Sequence, residues 1–227
     1  MYTWGMCREA ELSPGVESVP WDEAAHKAAK APRREGKPAA EKKREGTGMR
    51  LFISINIEGE LAEMFHKKVE EIKKHSVRGR FPEPGNMHLT VVFIGQTENV
   101  EAVKQAMDQL SAKSFELKFK KIGKFSRGGR ETYFVGLRRN SMLRSINWQL
   151  SESLRSAGFE IDKREYTPHL TLGRNVVFEM DFDLEEFSRE IAEMKARMKV
   201  EKISLMRSER VEGKQKYTEI YHLDLYD

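Results

Sequence analysis

The chain has 227 residues, enough for one domain with additional sequence but no demand for two full cores. A net charge of +4, from 40 Lys and Arg against 36 Asp and Glu, says little about partners, and apolar residues make up a modest 39%. No apolar run approaches the roughly 18 residues that span a bilayer. A single cysteine, Cys7, supplies neither an intramolecular disulfide nor a metal cluster, so a reducing, cytoplasmic setting without membrane contact is expected.

Residues 1–48 are dominated by Ala, Lys, Arg, Glu, Pro and Gly and lack hydrophobic periodicity, which predicts a flexible charged extension ahead of a domain at 49–227. From Leu51 the pattern alternates, with Leu51, Ile53, Ile55 and Ile57 on one face and Phe52, Ser54 and Asn56 on the other, predicting a half-buried strand. Leu61, Met64, Phe65, Val69 and Ile72 then recur at helical spacing, and this helix is expected to end near His75 to Gly79. Pro82, Pro84 and Gly85 mark a turn before a strand from Met87 to Ile94, followed by a helix from Val100 to Leu110.

Strands near Phe115 to Ile122 and Thr132 to Leu137 are joined across Arg127-Gly128-Gly129-Arg130 as a hairpin. Lys118, Lys120, Lys121, Lys124, Arg127, Arg130, Arg138 and Arg139 cluster here against the single acid Glu131, interleaved with Phe119, Phe125, Tyr133 and Phe134. Such a cluster suits a polyanion such as RNA, or equally a solvated hairpin whose lysines guard its edges. A helix from Met142 to Ala157 stops at Gly158, and a strand starts after Pro168. A short helix from Leu184 to Met194 precedes strands at Lys199 to Met206 and Tyr217 to Leu225. Groups of hairpin-like strands with helices inserted between them predict an α+β fold.

One short word occurs twice: His88-Leu89-Thr90-Val91 and His169-Leu170-Thr171-Leu172, 81 positions apart. In a strand, residues i and i+2 share a face, so His88 with Thr90, and His169 with Thr171, present an imidazole and a hydroxyl together. The spacing suggests two lobes related by a pseudo-two-fold axis. Two imidazoles, each with an ordinary pKa near 6.5, can divide the roles of acid and base around one phosphorus. Threonine hydroxyls can donate to the oxygens where charge builds in the transition state. A lone strand histidine is more often a satisfied structural residue, but two such motifs together point to phosphoester chemistry. His26, His66, His75 and His222 have no such context and are expected at the surface.

At these residues the chain resembles the 2H phosphoesterase superfamily, and within it the bacterial and archaeal RNA 2′,3′-cyclic phosphodiesterases, also named 2′-5′ RNA ligases. The resemblance runs from Met49 to Asp227 through Arg50-Leu51-Phe52-Ile53, Asn86-Met87-His88-Leu89-Thr90, Phe93-Ile94-Gly95, and Pro168-His169-Leu170-Thr171-Leu172 with Arg174. It implies a bilobal fold, two antiparallel-sheet lobes with outer helices around a central cleft. It also implies hydrolysis of RNA 2′,3′-cyclic phosphate ends to 2′-phosphate without metal or other cofactor; a monomer is expected. His88 and His169 would be catalytic, by analogy acid and base in that order, with the roles exchangeable; Thr90, Thr171 and Arg174 would hold the phosphate.

Strand parity turns Arg174 away from the His169 face unless a bulge or strand end intervenes at Gly173. Parity places Phe93 with Leu89 and Val91 in the core. It places Phe52 on the polar face, either stacking a terminal base or capping the core. Three functions remain open on this reading: an RNA-end phosphodiesterase, the same chemistry on a small cyclic nucleotide or nucleotide-sugar cyclic phosphate, and an RNA-end binding module without turnover.

Overall fold

A computed structural model describes residues 48–226, so the predicted extension at 1–48 falls, apart from Gly48, outside the described residues. Thirteen elements follow: β1 (Met49–Asn56), α1 (Gly59–Lys74), β2 (Ser76–Arg80), β3 (His88–Thr97), α2 (Val100–Asp108), β4 (Phe115–Arg127), β5 (Arg130–Leu137), α3 (Ser141–Ser156), β6 (His169–Phe178), α4 (Leu184–Glu193), β7 (Arg197–Val200), β8 (Lys202–Val211) and β9 (Lys214–Asp224). The strands run in the order β7-β4-β5-β6-β3-β1-β8-β9, with β2 attached to β6. All of these strand pairings are antiparallel.

This is the expected α+β, two-lobed arrangement. β1, β3, β8 and β9 make one lobe, β4 to β7 the other, and the halves meet along β3 and β6 at the pair Leu89–Leu170. The order strand, helix, histidine strand, helix occurs twice, as β1-α1-β3-α2 and β5-α3-β6-α4. The first helix of each repeat packs across the seam, α1 on β6 and α3 on β3. Phe65, Val69 and Ile72 of α1, and Leu143, Ile146, Leu150 and Leu154 of α3, are buried, so their helical spacing turns one apolar stripe of each onto the sheet.

The helix ends follow local chemistry. Asn99, Asn140 and Asp183 accept from Ala102, Leu143 and Glu186 N–H at the starts of α2, α3 and α4. Gly158, at φ 89°, closes α3 while Phe159 N–H donates to Leu154 and Gly158 N–H to Arg155. Gly128 and Gly129, both at positive φ, make the β4–β5 turn. No helix among the described residues is long and apolar enough to cross a membrane.

Two boundaries differ from expectation. The segment taken as the end of α1 is the strand β2, because Ser76 to Arg80 has no apolar period of its own and becomes a strand only through pairing with β6. The single strand expected from Lys199 to Met206 breaks at Glu201: β7 pairs with β4 in one lobe and β8 with β1 in the other. The chain therefore changes lobes within one residue, which no local pattern announces.

Candidate active site

Each histidine heads its strand and is pinned in the same way. His88 Nδ1–H donates to the Asn86 carbonyl at 2.7 Å, and His169 Nδ1–H to the Thr167 carbonyl at 2.8 Å. Both bonds reach two residues back, fix the tautomer and leave each Nε2 free to take or give a proton. Because β3 and β6 run antiparallel through Leu89–Leu170, His88 stands level with Thr171, and Thr90 with His169. Each hydroxyl thus lies beside the imidazole of the other motif.

A bulge follows each threonine. On β3, Ser54 pairs with Thr90 and Ile53 with Val92, leaving Val91 as the extra residue. On β6, Phe134 pairs with Thr171 and Tyr133 with Gly173, leaving Leu172 extra. A bulge puts two consecutive residues on one side and reverses parity beyond it. Arg174 consequently returns to the face of His169 and Thr171, where its charge acts on both imidazoles.

The same reversal corrects the placement of Phe93. It is 48% exposed rather than in the core, because Val91 and Val92 both turn inward and Phe93 takes the outward position opposite Phe52. Its ring lies under the Arg50 guanidinium, 5.1 Å from the centroid.

Bulging frees backbone carbonyls that the ladder would otherwise use, and these are satisfied from the second half of the chain. Asn147 Nδ2 on α3 donates to the Val91 carbonyl at 2.8 Å, and Tyr166 Oη to the Thr90 carbonyl at 3.0 Å. Burial raises the pKa of Tyr166, so its hydroxyl keeps the proton it donates.

Aromatic rings wall both imidazoles. His88 lies 5.0 Å from Phe52 and 5.0 Å from Tyr217, the latter edge-on; His169 lies 5.0 Å from Phe125 and 5.2 Å from Phe134. Phe52 is only 3% exposed, packed between His88 and Tyr217, so it supports the imidazole and offers no open face for stacking a base. Phe125, at 40%, is the more open ring beside His169. Burial lowers the pKa of both histidines, and the Arg174 charge lowers both further; His88 also feels the charge of His169. Both effects favour the neutral imidazoles.

The structure thus brings His88, His169, Thr90, Thr171 and Arg174 to one face and sets Phe52 behind them. Sequence reading missed Tyr217, Asn147 and Tyr166, and took Phe125 and Phe134 only as aromatics of a basic hairpin. A polar residue on the sheet-facing side of α3 was the available signal for Asn147; Tyr217 carried none. His75 and His222 are half-exposed and stand beside Glu179 and Glu219. A separate hollow of 540 Å³ between α4 and β4, lined by Lys121, Tyr133, Glu185 and Arg189, contains neither motif.

Comparison with known proteins places the chain in a family. The chain is 33% identical over 128 residues to an RNA 2′,3′-cyclic phosphodiesterase of Methanocaldococcus jannaschii, covering 56% of this chain and 71% of that one. It is 26% identical over 153 residues to a Bacillus subtilis protein of the same name, covering 64% and 80%. Among solved structures, Escherichia coli LigT complexed with 3′-AMP superposes with a TM-score of 0.66 at 22% identity, over 79% of this chain and 99% of that one, a likeness of fold. The family model of the 2′-5′ RNA ligase superfamily matches residues 62–212, which include both histidine strands and their bulges, and the chain belongs to that superfamily.

Proposed function

We propose that the protein is an RNA 2′,3′-cyclic phosphodiesterase that opens the cyclic phosphate at an RNA end to a 2′-phosphate. The observation that carries this reading is the convergence of two Nδ1-anchored imidazoles, two hydroxyls and one guanidinium across the Leu89–Leu170 pair. The names of its relatives support the same activity.

In the reaction, one imidazole Nε2 takes a proton from water as its oxygen attacks phosphorus. The P–O3′ bond breaks on the opposite side, and the other imidazole Nε2–H delivers a proton to the departing 3′ oxygen. Following the resemblance, His88 is the acid and His169 the base; exchanging them reverses which oxygen face each serves. Thr90, Thr171 and Arg174 donate to the non-bridging oxygens, where charge accumulates. A phosphate anion between the imidazoles offsets the Arg174 charge and raises the histidine pKa values from their lowered positions, so the acid is charged when substrate is bound.

The test is hydrolysis of a defined oligonucleotide ending in a 2′,3′-cyclic phosphate, in EDTA, with the product isomer identified. Turnover to a 2′-phosphate supports the reading; a 3′-phosphate product, or no turnover without added metal, overturns it. A bridging 3′-sulfur substrate, whose thiolate leaves without a proton, assigns the roles: it rescues the variant that lacks the acid and not the one that lacks the base. A cytoplasmic setting belongs to the same reading, supported by the lone Cys7, and a monomer is proposed with it.

A further inference from the structure

We propose that Arg80, on the short strand β2, joins Arg174 in a second phosphate subsite that takes the internucleotide phosphate preceding the terminal cyclic phosphate. This rests on the cleft being the reacting site, and it extends recognition to the next nucleotide of an RNA chain. β2 takes up the edge of β6 that β3 leaves beyond Leu89–Leu170, and Arg80 stands directly opposite Arg174 in the ladder. Opposed residues of an antiparallel pair share a face, so Arg80 lies beside Arg174 on the face of His169 and Thr171.

Two like charges set directly opposite destabilise such a pair. Among the described residues, neither guanidinium is ion-paired with a carboxylate. The packing underneath nevertheless holds them there. The residue before each arginine is a glycine, and Phe81 lies against both: a Cβ on Gly79 would stand 2.6 Å from Phe81 Cζ, and one on Gly173 would stand 2.9 Å from Phe81 Cε1 and 2.6 Å from Val176 Cγ2. The two missing side chains let one ring seat against both strands on the core side, and alternation sends Arg80 and Arg174 to the other side. A pair of unneutralised forks, built side by side at this cost, is suited to phosphate oxygens beyond those of the reacting group.

The chemistry recognised is a phosphate one nucleoside away from the cyclic one. RNA supplies it as a diester; a nucleotide-sugar cyclic phosphate would supply it as a pyrophosphate. The experiment compares wild type and Arg80→Gln on a mononucleotide 2′,3′-cyclic phosphate, a dinucleotide with the same end, that dinucleotide with an uncharged methylphosphonate linkage, and a nucleotide-sugar cyclic phosphate. Arg80→Gln is expected to lower kcat/KM on the dinucleotide about tenfold, abolish its advantage over the methylphosphonate, and leave the mononucleotide within about twofold. Arg80→Lys restores part of the loss through charge alone.

A loss shared equally by all substrates, or a dinucleotide advantage that survives Arg80→Gln, overturns the subsite; a loss confined to the nucleotide-sugar overturns its assignment to RNA. Equilibrium binding of a dinucleotide 2′-phosphate reads the subsite without turnover. An inactive wild type that binds this product more tightly than Arg80→Gln would overturn the hydrolysis reading and uphold the subsite.

Discussion

The two histidine strands are built alike and finished differently. Both anchor Nδ1 on a carbonyl two residues back, both present a threonine beside the partner imidazole, and both bulge after that threonine. Five positions beyond the histidine, however, β3 delivers Phe93 and β6 delivers Arg174. On β3 the aromatic is covered by a cation, Arg50, and the bulged carbonyls are held by Asn147 and Tyr166. On β6 the cation itself enters the cleft. In the proposed mechanism the proton machinery is symmetric, while the charge that would hold the anion comes from one lobe. A duplicated scaffold can therefore keep its acid and base as a matched pair and still give the substrate one orientation.

The largest effect should come from the symmetric part. His88→Ala and His169→Ala are each expected to lower turnover by about 10²- to 10⁴-fold with folding retained, and the double variant should be little worse than either single, because the two act as a unit. A variant at either position that keeps the parent rate on a cyclic phosphate ends the two-histidine mechanism.

The asymmetric part comes next. Arg174→Gln should cost about 10²-fold or more, as loss of a transition-state anion contact does. Because Arg174 lowers both imidazole pKa values, the same variant should move both limbs of the kcat/KM profile to higher pH. An unmoved profile would mean that Arg174 binds phosphate without tuning the histidines. Phe93→Ala, at the equivalent position of β3, should leave those limbs in place, since it removes no charge. A matching shift there would erase the contrast between the lobes.

Smaller changes test the support. Asn147→Ala strands the Val91 carbonyl and should cost about 1 to 3 kcal/mol in denaturant titration, together with an activity loss on β3 that Ser145→Ala on the exposed side of α3 does not reproduce. The least effect is on stability against pH. Both histidines have folded pKa values below that of the unfolded chain, so the unfolded chain binds protons first and stability falls as pH drops below about 6.5. His88→Gln with His169→Gln should flatten that fall; a stability that instead rises on acidification contradicts the lowered values.

Some of this was legible in the chain and some was not, for identifiable reasons. Strict alternation from Leu51 to Ile57 and the stripes of α1 and α3 are short-range signals, and each produced its element. β2 was invisible because Ser76 to Arg80 has neither alternation nor a run of β-branched residues; β6 makes it a strand. Arg174 and Phe93 were read through unbroken parity, and a single extra residue in each strand reversed both. The caution attached to Arg174, that a bulge near Gly173 would redeem it, names the device that the fold uses, whereas Phe93 received no such caution and was misplaced.

The amino-acid sequence by itself determined the candidate reacting groups: a repeated imidazole and hydroxyl at a spacing of two, on strands, each followed by the apolar residues that bury the opposite face. Such periodicity survives any arrangement of strands, because it is set by the backbone within one strand. Only the tertiary structure decided which lobe carries the charge, which rings enclose each histidine, and which strand places Arg80 beside Arg174. Those depend on bulges and on pairings between distant segments, where one residue of register turns a side chain from core to cleft.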